Sequence, residues 1–401
     1  MITFKRGRVH GPLAPYAVAF GEALARRGYT ARSAEAHLVL MARLSRWLGQ
    51  RQLAPARLGT AQVEEFLRWS HASGYRFPRS AAGAVPLLAF LRDLGVAPEP
   101  SAPVLSPREQ LLERFRSHLI DERGLTEGTT WNYVHAAKLL FQAHERSDGL
   151  DAGTLSAAEV DGFVVAECRA RSISAAKNLV NGIRAVLRFL YLEGITPVPL
   201  VGVVPTVSGW SGGGLPRGVD VVTVRQLLAS CDRRTVKGSR DFAIMMLLAR
   251  LALRAGEVAA LDLDDIEWPS GQVLIRGKAS RLEQLPVPAD VGEALAGYLT
   301  TGRARCEERA VFLRVLAPHR RIGVGAISVI VHDACTRAGL PPIATHRLRH
   351  SVATELLRLG AGLPEIGQLL RQRSAAVTSR YARVDTASLL QVARPWPGSA
   401  Q

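Results

Sequence analysis

The chain has only four cysteines in 401 residues, Cys168, Cys231, Cys306 and Cys335, and no two of them form a C-x-x-C pair. Such spacing supports neither a disulfide framework nor a zinc knuckle, so they read as isolated thiols. No apolar run approaches the ~20 residues of a membrane span. The basic N-terminus, MITFKRGRVHG, is not followed by an apolar stretch long enough for a signal peptide. The expectation is a soluble, cytoplasmic protein. A cluster of acids suited to magnesium is also missing, which sets the chain apart from nucleases and transposases built on an acid triad.

What is abundant is positive charge. Lys and Arg number 51 against 35 Asp and Glu, a formal net charge of +16, which favours a polyanionic partner and nucleic acid first. The excess is uneven: residues 1–100 hold 14 basic and 6 acidic side chains, residues 101–200 hold 11 and 12, and residues 201–401 hold 26 and 17. The middle stretch, if it meets DNA, must do so through a locally basic face, with Arg169, Arg171 and Lys177 as candidates. At this length two or three domains are expected, since single cores seldom grow beyond ~250 residues.

An internal repeat spans most of the first half, its copies 96 to 99 residues apart. Arg27-Gly28-Tyr29-Thr30 corresponds to Arg123-Gly124-Leu125-Thr126. Leu58, Val63 and Phe66 correspond to Leu155, Val160 and Phe163. Phe90-Leu91, Gly95 and Pro98 correspond to Phe189-Leu190, Gly194 and Pro197. Thr30 and Thr126 suit helix N-caps, and Gly95 and Gly194 suit C-terminal caps. Two modules of about four helices each follow, residues 1–100 and 101–197. Residues 198–219 are rich in Pro and Gly without a sustained period and read as a linker.

Beyond it, Thr223 is placed to cap one helix, and Ser239 a long apolar helix from Arg240 to Arg254. Gln272–Arg276 and Leu282–Val287 then flank the polar turn Gly277–Arg281, a β-hairpin pattern, and helices resume near Pro288. Residues 220–401 thus form a third domain, mainly α with a small β-hairpin.

The chemistry is concentrated between residues 254 and 381: Arg254, Glu257, Lys278, His346, Arg349, His350 and Tyr381. Two arginines, a lysine, a histidine and a tyrosine suit phosphoryl transfer without a metal, because guanidinium groups grip nonbridging oxygens bidentately and balance developing charge. His346 and Arg349 are three apart, so on a helix they share a face. His346 and His350 have the spacing of a helical zinc pair, but Arg347 stands where a metalloprotease helix carries Glu, and Arg349 adds positive charge.

In order and spacing this set resembles the tyrosine recombinase, or phage integrase, family over roughly residues 105–395. Leu253-Arg254-x-x-Glu257-x-x-x-Leu261 matches the first box, Lys278 follows the arginine by 24 residues, and His346-x-x-Arg349-His350 and Tyr381 complete the set. The helical modules then look like SAM-like core-binding domains, the first an extra copy. The tail Tyr381–Asp385 with Arg394-Pro-Trp-Pro-Gly398 resembles a mobile-element subgroup. One position departs from the pattern: nine residues before the tyrosine the family usually has His or Trp, and this chain has Gln372, whose amide can donate a hydrogen bond but cannot shuttle a proton.

The resemblance implies a site-specific recombinase of integrase or transposase type. Tyr381 would attack the scissile phosphate to form a 3′-phosphotyrosyl link, with no metal, ATP or other cofactor. Lys278 would protonate the 5′-hydroxyl leaving group, Arg254 and Arg349 would hold the nonbridging oxygens, and His346 would orient or deprotonate Tyr381. Glu257 and His350 would support them. Arg276, Arg281, Arg371 and Arg373 would meet DNA, one of the last two supplying the contact missing at Gln372's position. The partners implied are double-stranded DNA carrying recombination sites and a tetramer on that DNA, of this chain alone or with sister recombinases. Gln372 leaves open an alternative, a DNA-binding accessory protein of the same fold with impaired catalysis.

Overall fold

The computed structural model describes residues 9–75, 81–99, 105–145, 150–208, 218–277 and 282–371. Lys278, Arg281, Gln372, Arg373 and Tyr381 lie outside them. The first repeat copy folds as α1 (Ala17–Arg26), α2 (Ala31–Gln50), α3 (Thr60–Ala72) and α4 (Val85–Asp93) around Phe20, Leu24, Met41, Trp47, Phe66 and Leu91. The second folds as α5 (Pro107–Ser117), α6 (Glu127–His144), α7 (Ala157–Arg169) and α8 (Ile173–Leu192) around Phe115, Leu140, Phe141, Val160, Val186 and Phe189.

The repeat is structural as well as textual. Gly28 and Gly124 both take positive φ, 82° and 57°, Gly28 just after α1 and Gly124 after the π-helical turn His118–Glu122 that extends α5. Gly95 and Gly194 do the same after the last helix, at 68° and 67°. In both modules the residue after that glycine donates its amide five residues back, Val96 to Leu91 O (2.8 Å) and Ile195 to Leu190 O (2.9 Å), closing a Schellman turn. The expected N-caps differ. Thr30 Oγ1 accepts from the Ser33 amide at 3.3 Å. Thr126 occupies the cap position with its hydroxyl turned to Thr129 Oγ1, 3.2 Å away.

Residues Ala102–Gly213 form one compact unit, and Met1–Ser101 with Gly214–Gln401 the other. The segment expected as a linker is partly built into these units. Leu200 and Val204 are buried in the second module's core, and Arg184 donates to Val204 O (3.1 Å) and Thr206 Oγ1 (3.3 Å). At its far end Val219 is buried in the C-terminal core, its amide donating to Ser351 Oγ at 2.6 Å. Apolar residues between the prolines and glycines carry this packing, so the composition overstated the freedom of the segment.

The C-terminal region comprises α9 (Val221–Ala229), α10 (Val236–Arg250), α11 (Ala255–Ala260), β1 (Ile266–Glu267), β2 (Gln272–Arg276), β3 (Leu282–Pro286), α12 (Ala289–Gly297), α13 (Val324–Arg337), α14 (Thr345–Arg358) and α15 (Leu363–Leu369). Helix α10 is buried almost all round and packs against α9, α11, α12, α13 and α14, as a helix apolar on every side must. Even its Arg240 is buried, paired with Asp241 at 2.7 Å and donating to Leu313 O at 3.1 Å.

The helix starts earlier and stops earlier than the apolar pattern suggested. Thr235 caps it by accepting from the Gly238 amide (3.0 Å), so Ser239 lies inside. Asp220, not Thr223, caps α9, accepting from the Thr223 amide at 2.8 Å. The expected hairpin is present: β2 and β3 pair antiparallel from Gln272↔Pro286 to Arg276↔Leu282, with β1 on the other edge of β2. Val273, Ile275 and Leu285 face the core, the alternation of a sheet with one buried side.

Gly238 leaves no room for a side chain, since a Cβ there would sit 2.0 Å from Asp232 O. Gly238→Ala is expected to cost about 1–3 kcal/mol through this overpacking, measured as a lower urea midpoint; an unchanged midpoint would show that the 232–235 turn relaxes freely.

Candidate active site

The site grows from the way α10 ends. Ala252 takes a left-handed φ of 49° and is fully buried. The chain then extends, and Arg254 (φ −77°, ψ 151°) becomes the N-cap of α11 rather than the last residue of α10. Three residues on, Glu257 Oε2 accepts the Arg254 amide at 2.8 Å while Oε1 meets Arg254 Nη1 at 2.5 Å. The carboxylate is 5% exposed and the arginine side chain 45%, so Glu257 holds from below a guanidinium that still faces outward.

Helix α14 supplies the next groups in its first turns. His346 is exposed, and its ring meets His350 edge to face at 5.6 Å between centroids. Arg349, one turn on, is buried, its Nη1 donating to Ala252 O and its Nη2 to Leu370 O. One side chain thereby bridges the end of α10 and the end of α15. A small apolar cluster of Ala252, Ala353, Ile366 and Leu370 seals this bridge.

Arg371 completes the assembly and corrects an expectation. Read from the sequence as a DNA contact, its side chain is 3% exposed and pairs with Glu257 Oε2 through Nη2 at 2.6 Å. Its Nη1 donates to Leu369 O at 3.1 Å, and its Nε lies 3.9 Å from Glu283 Oε2 on β3. Its backbone is left-handed, φ 50°. Glu257 is thus shared by two guanidiniums. Burial pushes its pKa up, but the Arg254 amide bond, the Arg371 charge and the Arg254 guanidinium outweigh burial and hold it below the ordinary glutamate value.

The structure therefore brings Arg254, Glu257, Arg349 and Arg371 into one network, with His346 and His350 on the helix that carries Arg349. Strand β3, one arm of the hairpin, reaches the network through Glu283. The other expected DNA contacts vary. Arg276 is half-exposed but paired with Asp265 (2.6 Å) and Asp262 (3.5 Å), which offsets its charge. Arg171 pairs with Glu167 at 2.5 Å, Arg169 is exposed at the end of α7, and Lys177 is half-buried on α8. Sequence reasoning missed the structural roles of Ala252 and Arg371, because left-handed backbone at a non-glycine residue leaves no sequence mark.

The site is thus a cluster of arginines around a buried glutamate in a mostly helical domain with a small three-stranded sheet, and comparison with known proteins gives its family. Residues 219–388 match the phage integrase family. A Sinorhizobium fredii integrase/recombinase, y4rA, is 36% identical over 98% of this chain and 96% of its own length. The tyrosine recombinase XerD of Mycobacterium tuberculosis is 30% identical over 79% of this chain and 97% of its own. Among solved structures, XerH bound to palindromic difH substrate covers 75% of this chain and 99% of its own at TM-score 0.54 and 16% identity. A lambda integrase tetramer bound to a Holliday junction covers 77% and 91% at TM-score 0.53 and 16% identity. The chain belongs to the tyrosine recombinase, or phage integrase, family.

His350 offers a test of this packing. Burial, then the charges of His346 and Arg349, lower its pKa. A histidine depressed in the folded state binds fewer protons there than in the unfolded chain, so stability falls as pH drops through the ordinary histidine value near ~6.5. His350→Gln is expected to reduce the loss in urea midpoint between pH 7.5 and 5.5, and an equal loss in both proteins would refute it.

Proposed function

We propose that this chain, a site-specific DNA recombinase, cuts and rejoins DNA through a 3′-phosphotyrosyl link formed by Tyr381. The observation that carries this reading is the half-exposed Arg254, held at its base by buried Glu257 and joined through Glu257 and Arg371 to the end of α15, beside Arg349. A guanidinium fixed on one side and open on the other is preorganised to receive nonbridging phosphate oxygens, which lowers the barrier where charge develops. Exposed His346, on the same helix as Arg349, orients or deprotonates the phenol. Lys278, which falls between β2 and β3 in the sequence, protonates the departing 5′-hydroxyl. The covalent link stores the energy of the broken phosphodiester, so rejoining needs no ATP, and the arginines take the place of a metal.

The solved relatives include a dimer and a tetramer of lambda integrase and a XerH complex, each bound to DNA. Exchange between two duplexes needs four cleavages, so we read this chain as a tetramer on DNA, working in the cytoplasm where the chromosome lies. Gln372 keeps a phosphate hydrogen bond and gives up proton transfer at its position, which retunes the rate.

The test works on an unidentified target site. Purified full-length protein is incubated with sheared genomic DNA from its source, denatured in detergent, and any covalently attached DNA is recovered and sequenced. The expected result is enrichment of one short site, in EDTA as well as in magnesium, and its loss in Tyr381→Phe. Arg254→Ala should lower the yield about 10²–10³-fold, as for removal of a group that stabilises transition-state charge. Covalent capture that persists in Tyr381→Phe, or that requires a divalent metal, would reject the mechanism.

A further inference from the structure

The reading of Arg371 as a DNA contact fails on its burial, yet the position keeps a large cation under conditions that disfavour it. Its backbone is left-handed, a conformation that glycine adopts freely and other residues avoid. Its guanidinium is 3% exposed and donates to Glu257 Oε2 on α11 (2.6 Å) and Leu369 O at the end of α15 (3.1 Å), with the charge of Glu283 Oε2 on β3 3.9 Å away, beyond hydrogen-bond reach. A lysine offers one point charge and cannot spread over such a set. The Glu257 carboxylate that Arg371 engages is the one that holds the Arg254 amide and guanidinium. The adjoining Leu370 carbonyl is held by Arg349.

We propose that Arg371 is a positioning residue: its buried guanidinium braces Glu257, and so Arg254, while anchoring the point from which the chain runs on to Gln372 and, ten residues beyond Arg371, to Tyr381. One ion pair thus sets both the phosphate-binding arginine and the root of the nucleophile's segment. The catalytic half of this inference rests on the reading of Tyr381 as nucleophile; the structural half does not.

The test uses the full-length chain as wild type, Arg371→Gly, Arg371→Lys, Glu257→Gln and the double variant Arg371→Gly/Glu257→Gln. The probe is the DNA fragment recovered by covalent capture. Three quantities are read: affinity for the fragment, the fraction of bound DNA that becomes covalent, and amide hydrogen exchange of the peptide spanning 363–371. Arg371→Gly relieves the backbone and deletes the brace. It should bind DNA within about twofold of wild type while its covalent fraction falls about 10- to 100-fold, the effect of a misplaced reacting group. Exchange of 363–371 should accelerate about tenfold or more, and Arg371→Lys should recover part of both losses. The double variant should be no worse than the poorer single one, because both changes break one brace.

A covalent fraction unchanged in Arg371→Gly overturns the proposal. So does a large loss of affinity with the covalent fraction of bound DNA intact, which would return Arg371 to the role of DNA contact. If wild type captures no DNA at all, the reading of Tyr381 has failed, and hydrogen exchange alone decides the brace: unaltered protection of 363–371 in Arg371→Gly rejects it. Should Arg371→Gly fail to fold, Glu257→Gln takes its place in all three measurements, and an unchanged covalent fraction with unaltered protection of 363–371 rejects the brace there.

Discussion

Glu257 is a carboxylate removed from water between two guanidiniums, and the geometry of the site follows from that arrangement. Taking such a group out of solvent costs several kcal/mol unless its charge and lone pairs are met. Here they are met by the Arg254 amide, the Arg254 guanidinium and the Arg371 guanidinium together. Removing any one would leave a buried charge partly unpaired. The carboxylate therefore fixes three positions at once: the start of α11, the direction of the Arg254 side chain and the end of α15. None of these is set by apolar packing alone, since Arg254 is half-exposed and α15 is only seven residues long.

Arg349 performs a parallel task with backbone acceptors. Its two terminal nitrogens donate to the carbonyls of Ala252 and Leu370, each next to or within a left-handed residue. Such conformations cost of order 1–3 kcal/mol each and persist where surrounding contacts over-determine them. In this chain the surroundings are explicit: a bridging guanidinium, the apolar cluster of Ala252, Ala353, Ile366 and Leu370, and the Arg371 ion pair. The kink at Ala252 has a clear consequence. It stops α10 at Arg250 and lets Arg254 begin a new helix, which aims the arginine at the site rather than back along α10.

Much of this was legible in the sequence, and the limits have physical causes. The repeat could be read because its landmarks are glycines at forced turns and apolar residues at core positions, both constrained by backbone geometry and burial; Gly95 and Gly194 take the same φ within a degree. The hairpin was legible because alternation over Gln272–Arg276 and Leu282–Val287 has one meaning when a face is buried. Helix boundaries were less so: Ser239 and Thr223 are sound cap residues, but Thr235 and Asp220 lie a turn earlier and win. The apolar run through Leu253 concealed the break at Ala252, since alanine carries no signal for left-handed backbone. Arg371 was misread for the same reason and one more. A cation beside a candidate phosphate site looks like a ligand until the burial of its partner is known.

The balance of charge within the network bears on what the site is built to hold. Arg254 and Arg371 share one closely held carboxylate, Glu257, with Glu283 at 3.9 Å from Arg371 as a weaker counterweight, while Arg349 is tied to the same region through the Leu370 carbonyl. Arg371 spends its charge inside the protein and Arg349 directs two of its donors at carbonyls. Arg254 is the member of the three that keeps substantial exposure. A cluster so arranged carries an excess of positive charge that water screens incompletely at a half-buried position. An anion with two oxygens in a plane offers a guanidinium the bidentate geometry it prefers. A phosphodiester provides such oxygens and, as its phosphorus is attacked, gains negative charge on them. The buried members of the network cannot move to meet that charge, so the cost of organising them is met in folding rather than in the reaction. Arg371 is spent on architecture, and its burial leaves Arg254 as the guanidinium of the Glu257 pair that still faces outward.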